Sequence, residues 1–255
     1  MEYTKNILNN NLLYLVHLKT KKMKPIMIFG LFILAMVFAQ FTYAQTADEI
    51  VDKYITAMGG KDKLASLKTV KMEGNMSVQG TDVAIVMTKA HLIGMRMDIS
   101  VMGTENYQIV TPTKGLVFMP VQGMSEPTAM TDEQLKGAVS QLDIQGALFN
   151  YKEKGTTIEL AGKEAVDGEE AYKLKLTSKA GTVSNYFIST KTSFIIKTTG
   201  KRNMNGEEVE IATTNSNYKQ NADGYWFAYT TTNMQGTIDF TTIETNKPVD
   251  ENIFK

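Results

Sequence analysis

Two histidines, His17 and His91, and no cysteine limit the chemistry open to these 255 residues. Without a thiol there is no disulfide framework, no thiolate zinc site and no cysteine nucleophile. Two imidazoles are too few for a histidine-rich metal centre. His91 is the only one left once an N-terminal leader is set aside, and a lone histidine in a strand turn is ordinarily structural or solvated. The carboxylate pairs Asp132-Glu133, Glu169-Glu170 and Glu207-Glu208 are of the right type for acid–base work. The first opens a helix, where acids favour the dipole. The other two adjoin hairpin turns. No Gly-x-Ser-x-Gly elbow, EF-hand loop, P-loop or dinucleotide fingerprint occurs. These residues predict no catalytic group, no metal and no cofactor, and they favour binding over catalysis.

Methionine is the more informative type. Twelve of the sixteen methionines follow residue 44, and nine fall between Met72 and Met130. Its flexible, polarizable side chain suits surfaces that fit variable apolar partners, and it also fills irregular cores. Met72, Met76, Met87, Met95, Met97, Met102 and Met119 fall on the first run of strands. Met95 and Met97 share a face with Ile93 and Ile99, while Arg96 and Asp98 take the other. Alternation does not say which face is concave. Arg96 and Arg202 are the only arginines, against 20 lysines after residue 44. An arginine used twice in so lysine-rich a chain suggests a need for a planar, multi-donor cation, with an Arg96–Asp98 or cross-strand ion pair as the structural alternative. Tyr225, Phe227 and Tyr229 form a stripe on one strand face, which is either core or the lining of a ligand space. The binding candidates are therefore Met72, Met76, Met87, Met95, Arg96, Met97, Met119, Tyr225, Phe227 and Tyr229.

Positioning these residues is the task of a β domain behind a leader. Lys19, Lys21, Lys22 and Lys24 precede an apolar run from Ile26 to Ala39, and Thr42-Tyr43-Ala44 offers small residues at a cleavage site before Gln45. The run of about 14 residues is shorter than the roughly 20 that span a bilayer. Residues 1–44 are read as a signal peptide. Met23 would serve as an alternative start, which makes 1–22 an over-extension. The whole chain balances 27 cations against 27 anions. Cleavage removes five lysines and Glu2, leaving 22 against 26 and a net charge near −4, without the basic excess of a nucleic-acid binder. The expectation is an exported, soluble, periplasmic domain over 45–255.

Within that domain Thr46 and Glu49 form a capping box, and Ile50, Val51, Tyr54, Ile55 and Met58 fall on one helical face before Gly59-Gly60. Leu64 and Leu67 add a short turn of helix. Period-two strands follow at 69–78, 82–90, 93–101, 105–111 and 115–120. A second capping box, Thr131 to Gln134, opens a helix over 131–148 that carries Leu135, Ala138, Val139 and Leu142 on one face. Strands resume at 156–161, 164–166, 170–178, 182–190, 193–202, 207–219, 225–235 and 237–244, with hairpin dipeptides at Asp167-Gly168, Asn205-Gly206 and Asp223-Gly224. About a dozen sequential antiparallel strands with two helices predict a barrel or sandwich, its helices covering one mouth or one concave face.

The pattern resembles the periplasmic lipoprotein carriers and outer-membrane lipoprotein-sorting proteins. The resemblance rests on Ala47-Asp48-Glu49-Ile50-Val51-Asp52-Lys53-Tyr54 with Met58-Gly59-Gly60, and on the stretch from Lys89 to Asp98 that sets Arg96 between Met95 and Met97. Gly162-Lys163-Glu164-Ala165-Val166-Asp167-Gly168 with Tyr172-Lys173-Leu174-Lys175-Leu176 is similar to the family's central hairpin. The tail Asn246-Lys247-Pro248-Val249-Asp250-Glu251-Asn252-Ile253-Phe254 is similar to its closing segment. The resemblance implies a mainly β fold: a single antiparallel, incompletely closed barrel with a helical lid over an apolar cavity for acyl chains of lipids or lipoproteins. Ile50, Val51, Tyr54, Leu135, Val139 and Leu142 would form the lid, with Arg96 on a strand near the cavity. Envelope membrane proteins are the implied further partners. Two alternatives stand beside this reading: an envelope sensory or structural module that binds a protein, and a lipid hydrolase built around His91.

Overall fold

The computed structural model describes residues 45–255 except 79, 205 and 206. The expected leader, cleavage site at Ala44 and over-extension fall outside the described residues, as does the expected Asn205-Gly206 turn. Both capping boxes form. In α1 (Ala47–Ala57) the Glu49 N–H donates to Thr46 Oγ1 and the Thr46 N–H to Glu49 Oε2, each at 3.2 Å. Two of the first-turn donors that a helix leaves unpaired are thereby satisfied. Ile50, Val51, Tyr54 and Ile55 make the buried stripe. Gly59 and Gly60, at φ 106° and 93°, turn the chain into the short α2 (Lys61–Ala65).

The strands are β1 (Thr69–Val78), β2 (Thr81–Ala90), β3 (Gly94–Val101), β4 (Thr104–Val110), β5 (Gly115–Phe118) and β6 (Thr128–Ala129). After α3 (Asp132–Val139) come β7 (Thr157–Val166), β8 (Glu169–Thr177), β9 (Val183–Ser189), β10 (Ile195–Met204), β11 (Glu207–Gln220), β12 (Trp226–Asn233) and β13 (Gly236–Thr245). They form one antiparallel sheet in the order β6-β5-β4-β3-β2-β1-β13-β12-β11-β10-β9-β8-β7. Two meanders are thus joined where the first strand pairs the last, while β6 and β7 end the sheet without pairing each other. The result is an open half-barrel.

That order constrains the connection between the meanders. β6 and β7 follow one another in sequence but lie at opposite ends of the sheet, so residues 130–156 must traverse its whole width. They run as a strap over three successive clusters. Leu142 packs with Met95 and Val110, Ile144 with Val70 and Tyr225, and Leu148 and Phe149 with α1 and Leu174. The helix expected over 131–148 stops at Val139, followed by a 3-10 turn at Ser140–Leu142. A helix advances only about 1.5 Å per residue against roughly 3.3 Å for extended chain, so a crossing this wide cannot stay helical.

Register places both helices on one face. Directly opposed residues share a face, as do alternate residues along a strand. Leu174, beneath α1, opposes Tyr186, which opposes Thr198 and then Thr213. Asn215 is two residues on and opposes Thr231, which leads through Ile238 to Met76. Met72 is on Met76's face, and Met95 with Met87 lies beneath α3 on that same side. The helix-bearing side is the inner face. On the outer face the 3-10 turn Glu251–Phe254 buries Phe254 against Ala90 and Ile109. Gly94 permits this, because a Cβ there would sit 2.5 Å from the Phe254 ring.

Candidate functional site

Four rows of opposed side chains pave the inner face across β1 to β4. The first runs Val70, Lys89, Met95, Val110, and the second Met72, Met87, Met97, Gln108. Gly74, Ile85, Ile99 and Asn106 make the third, and Met76, Val83, Val101 and Thr104 the fourth. Met72, Met76, Met87, Met95 and Met97 are thus brought to one surface. Met95 is fully buried, whereas Met72, Met87 and Met97 remain half-buried. Met119 caps the turn Pro120–Gln122 beyond β5.

Arg96 does not join them. Strand alternation turns it to the outer face, where Nε donates to Asp98 Oδ1 at 2.8 Å, Nη2 lies 2.7 Å from the same oxygen, and the guanidinium lies 4.6 Å from the Tyr107 ring centre. Its expected place near the cavity is corrected by that pairing. A guanidinium held by a carboxylate and an aromatic face has its partners on the side away from the inner surface.

Across β10 to β12 the inner face carries Thr198 and Asn215 beside the aromatics Tyr218 and Phe227, and here a cavity of about 220 Å³ opens. Tyr54 of α1 and its C-cap Met58, Leu64 and Leu67 around α2, Ile144 to Gly146 of the strap, Tyr218 and Phe227 of the sheet, and Tyr225 just before β12 line it. Phe227 and Tyr229 pack in the cluster around Val70 and Ile243, but Tyr229 is not among the lining residues. Tyr225 also has a structural task. Its hydroxyl lies 2.8 Å from Ser66 Oγ and accepts from Asn246 Nδ2 at 2.9 Å, tying α2 and the C-terminal tail to the sheet. Asn217 takes a left-handed φ of 55°, interrupting the alternation before Tyr218. Tyr218 donates to the Ile195 carbonyl at 2.8 Å. Burial raises the hydroxyl pKa of Tyr54, Tyr186 and Tyr218 above its ordinary value, so all three stay neutral donors.

Of the lid candidates, Ile50, Val51 and Tyr54 are buried against Leu148, Leu174, Leu176 and Ile188. Leu142 is buried on Met95 and Val110, and Leu135 and Val139 pack partly against the same cluster. A charged knot lies where the strap passes His91. Lys154 Nζ donates to Asp143 Oδ2 at 2.6 Å and to the Gly146 carbonyl at 2.9 Å. Asp143 Oδ1 faces His91 Nδ1 at 3.9 Å, and both atoms are buried without a hydrogen bond. Burial lowers the His91 pKa, helped by Lys154 and Lys68 and opposed by Asp143. No serine hydroxyl hydrogen-bonds His91 among the described residues. The carboxylate pairs sit elsewhere. Asp132 and Glu133 open α3, Glu169 accepts from Ser189, Glu170 pairs with Lys163, and Glu208 pairs with Lys201.

Reading the sequence missed Lys89. It holds the inner-face position between Val70 and Met95, yet it makes no ion pair or hydrogen bond among the described residues. The side chain keeps some solvent contact, but surrounding protein pushes its ammonium pKa down to about 8, with desolvation the only cause. The signal was legible: Val83, Ile85, Met87 and Lys89 share one strand parity, so a lysine stands on an otherwise apolar face.

Solved structures place this architecture. No family model matches the sequence, and a search of curated proteins finds no match either. A DUF1329 family protein from Desulfovibrio piger is similar over 82% of this chain and 96% of its own, at 16% identity and a TM-score of 0.52. A LolA superfamily protein from Nitrosomonas europaea is similar over 83% and 98%, at 13% identity and a TM-score of 0.51. A candidate outer membrane lipoprotein-sorting domain from Vibrio parahaemolyticus covers 81% and 94%, at 16% identity and a TM-score of 0.48. The first two establish the fold: the chain has the open, LolA-like half-barrel, with the helical cover that the sequence resemblance implied.

Proposed function

We propose that the protein binds acyl chains of lipids or lipoproteins between the inner face and its strap, and that it does so in the periplasm after removal of residues 1–44. The observation that carries this reading is the inner-face row of Met72, Met87 and Met97, joined through the cluster that Met72 shares with Phe227 to a cavity lined by Tyr54, Tyr218 and Phe227. Such a surface offers non-directional burial, about 0.8 kcal/mol for each CH₂ removed from water. Flexible methionines let it accept chains of differing shape. The LolA-like fold supports the reading, since sorting of outer-membrane lipoproteins is the role its sequence resemblance implies. Delivery to an outer membrane through envelope membrane proteins is the corresponding transport step.

The present cavity is small for this task. Its volume of about 220 Å³ falls below the roughly 300–1,000 Å³ of ordinary ligand pockets, so a full acyl chain needs the strap or α1 to shift. The test is mass spectrometry of organic extracts from protein purified from the exported fraction. Acyl lipids at near-stoichiometric amounts are expected, and a mature N-terminus at or close to Gln45. An extract free of acyl species, together with failure of the delipidated protein to bind a fluorescent fatty acid, would remove the acyl-chain reading.

A further inference from the structure

We propose that Lys89 anchors the anionic headgroup of the ligand, so that the cargo is a negatively charged amphiphile carrying a carboxylate or a phosphate. The proposal rests on the acyl-chain reading and narrows its substrate class. Its basis is position. Lys89 lies in an inner-face row whose other members, Val70, Met95 and Val110, are all buried and apolar. It is bracketed by the two clusters that the strap crosses, one around Val70 and Ile144 and the other around Met95 and Leu142. Other strand lysines, such as Lys71 with Glu73 and Lys173 with Glu164, have an acid within 3 Å. Lys89 has no acid partner among the described residues. An ammonium placed among apolar groups without a counter-ion is costly. A neighbouring Met row able to take the chain of the same molecule explains what offsets that cost: an anion that arrives with the ligand. Desolvation by the surrounding protein pulls the free ammonium's pKa down to about 8, in keeping with that cost.

The experiment compares three ligands with one oleoyl chain and different heads: oleate, oleoyl lysophosphatidate and neutral mono-oleoylglycerol. Affinities are measured at pH 7 for the delipidated wild type, Lys89→Met and Lys89→Arg. The wild type is expected to bind at least one anion about ten- to a hundredfold more tightly than the neutral lipid, the range of a hydrogen bond to a charged group. Whichever anion it prefers separates a carboxylate from a phosphate source. Lys89→Met is expected to lose that preference while holding mono-oleoylglycerol as well as the wild type does, and Lys89→Arg to keep most of it. Retention of the neutral lipid by Lys89→Met shows that the variant folds. Equal anion preference in Lys89→Met and wild type, or no preference in the wild type, overturns the anchor and leaves the acyl-chain reading intact. Failure of the wild type to bind any of the three overturns both.

Discussion

The two halves of the sheet cover their inner faces differently. Under α1, strands β8 to β12 present Leu174, Leu176, Tyr186 and Tyr218, and the tyrosine at the centre is fixed by a hydrogen bond to a main-chain carbonyl. Strands β1 to β4 present Met72, Met87 and Met97, half-buried and with no directional contact to hold them, and of these Met87 packs beneath α3. One half is a fixed aromatic wall and the other an adaptable floor. The strap crosses both, so the same segment is pinned at Leu148 and Phe149 and only partly held at Leu135 and Val139. Ala138 and Leu142 are buried at that end as well, so a ligand that needs room would find the least packing to displace at Leu135 and Val139.

The largest expected contrast is in stability. Leu174 is fully buried beneath α1, and Leu174→Ala should cost about 2–5 kcal/mol in urea unfolding, the range for truncating a core leucine. Met97→Ala removes a half-buried side chain and should cost clearly less. If the two substitutions destabilise equally, the floor is as tightly packed as the wall and the contrast fails.

Lys89 sharpens the comparison from the other side. Its pKa lies near 10.5 in the unfolded chain and about 8 in the folded one. Between those values the unfolded state holds a proton that the folded state lacks, so stability from this group rises with pH. Below pH 8 the full penalty is present. Lys89→Met should therefore stabilise the ligand-free protein at pH 7 by up to about 3 kcal/mol and by much less near pH 10. Urea midpoints at the two pH values decide it, and a variant no more stable than wild type at pH 7 would mean that the ammonium is well hydrated. A smaller effect is expected for Met87→Leu with Met97→Leu. Volume-conserving swaps of this kind cost less than about 1.5 kcal/mol, but they replace flexible side chains with stiffer ones. The double variant should keep its fold and discriminate more sharply among acyl chains of different length and unsaturation. Unchanged discrimination would remove flexibility from the role given to the methionines.

Much of this was legible in the sequence, and the parts that were not share a cause. The capping boxes at Thr46 and Thr131, the strand alternation and the Asp167-Gly168 turn are local, and they appear where short-range sterics and hydrogen bonding put them. Both residues of that turn have positive φ, at 49° and 83°, as a tight hairpin requires. The strap was misread as helix over 131–148 because its course follows from β6 and β7 lying at opposite ends of the sheet, a fact that local pattern does not contain. Tyr218 escaped notice because the left-handed Asn217 interrupts a strand that otherwise reads as regular. Lys89 was different. Its parity was readable from Val83, Ile85 and Met87 of the same strand.

The smallest effect is expected at Arg96, which tests whether the two faces of one strand are functionally separate. Its guanidinium is partly exposed and pairs with a similarly exposed Asp98, with Tyr107 stacked behind it. Ion pairs of this exposure contribute about 0–1 kcal/mol. Arg96→Leu would remove that contribution and leave Asp98 accessible to water, so the loss should stay within this range. Met95 and Met97, on either side in sequence, face the strap instead, and nothing in the substitution reaches them except through the backbone of β3. That backbone is held by β2 and β4 along its length. Lipid retention by Arg96→Leu should therefore match the wild type, measured as the rate at which a fluorescent fatty acid leaves the protein for vesicles. Slower release would show that the arginine acts across the sheet on the covered side, and the assignment of ligand contact to the inner face alone would have to be abandoned.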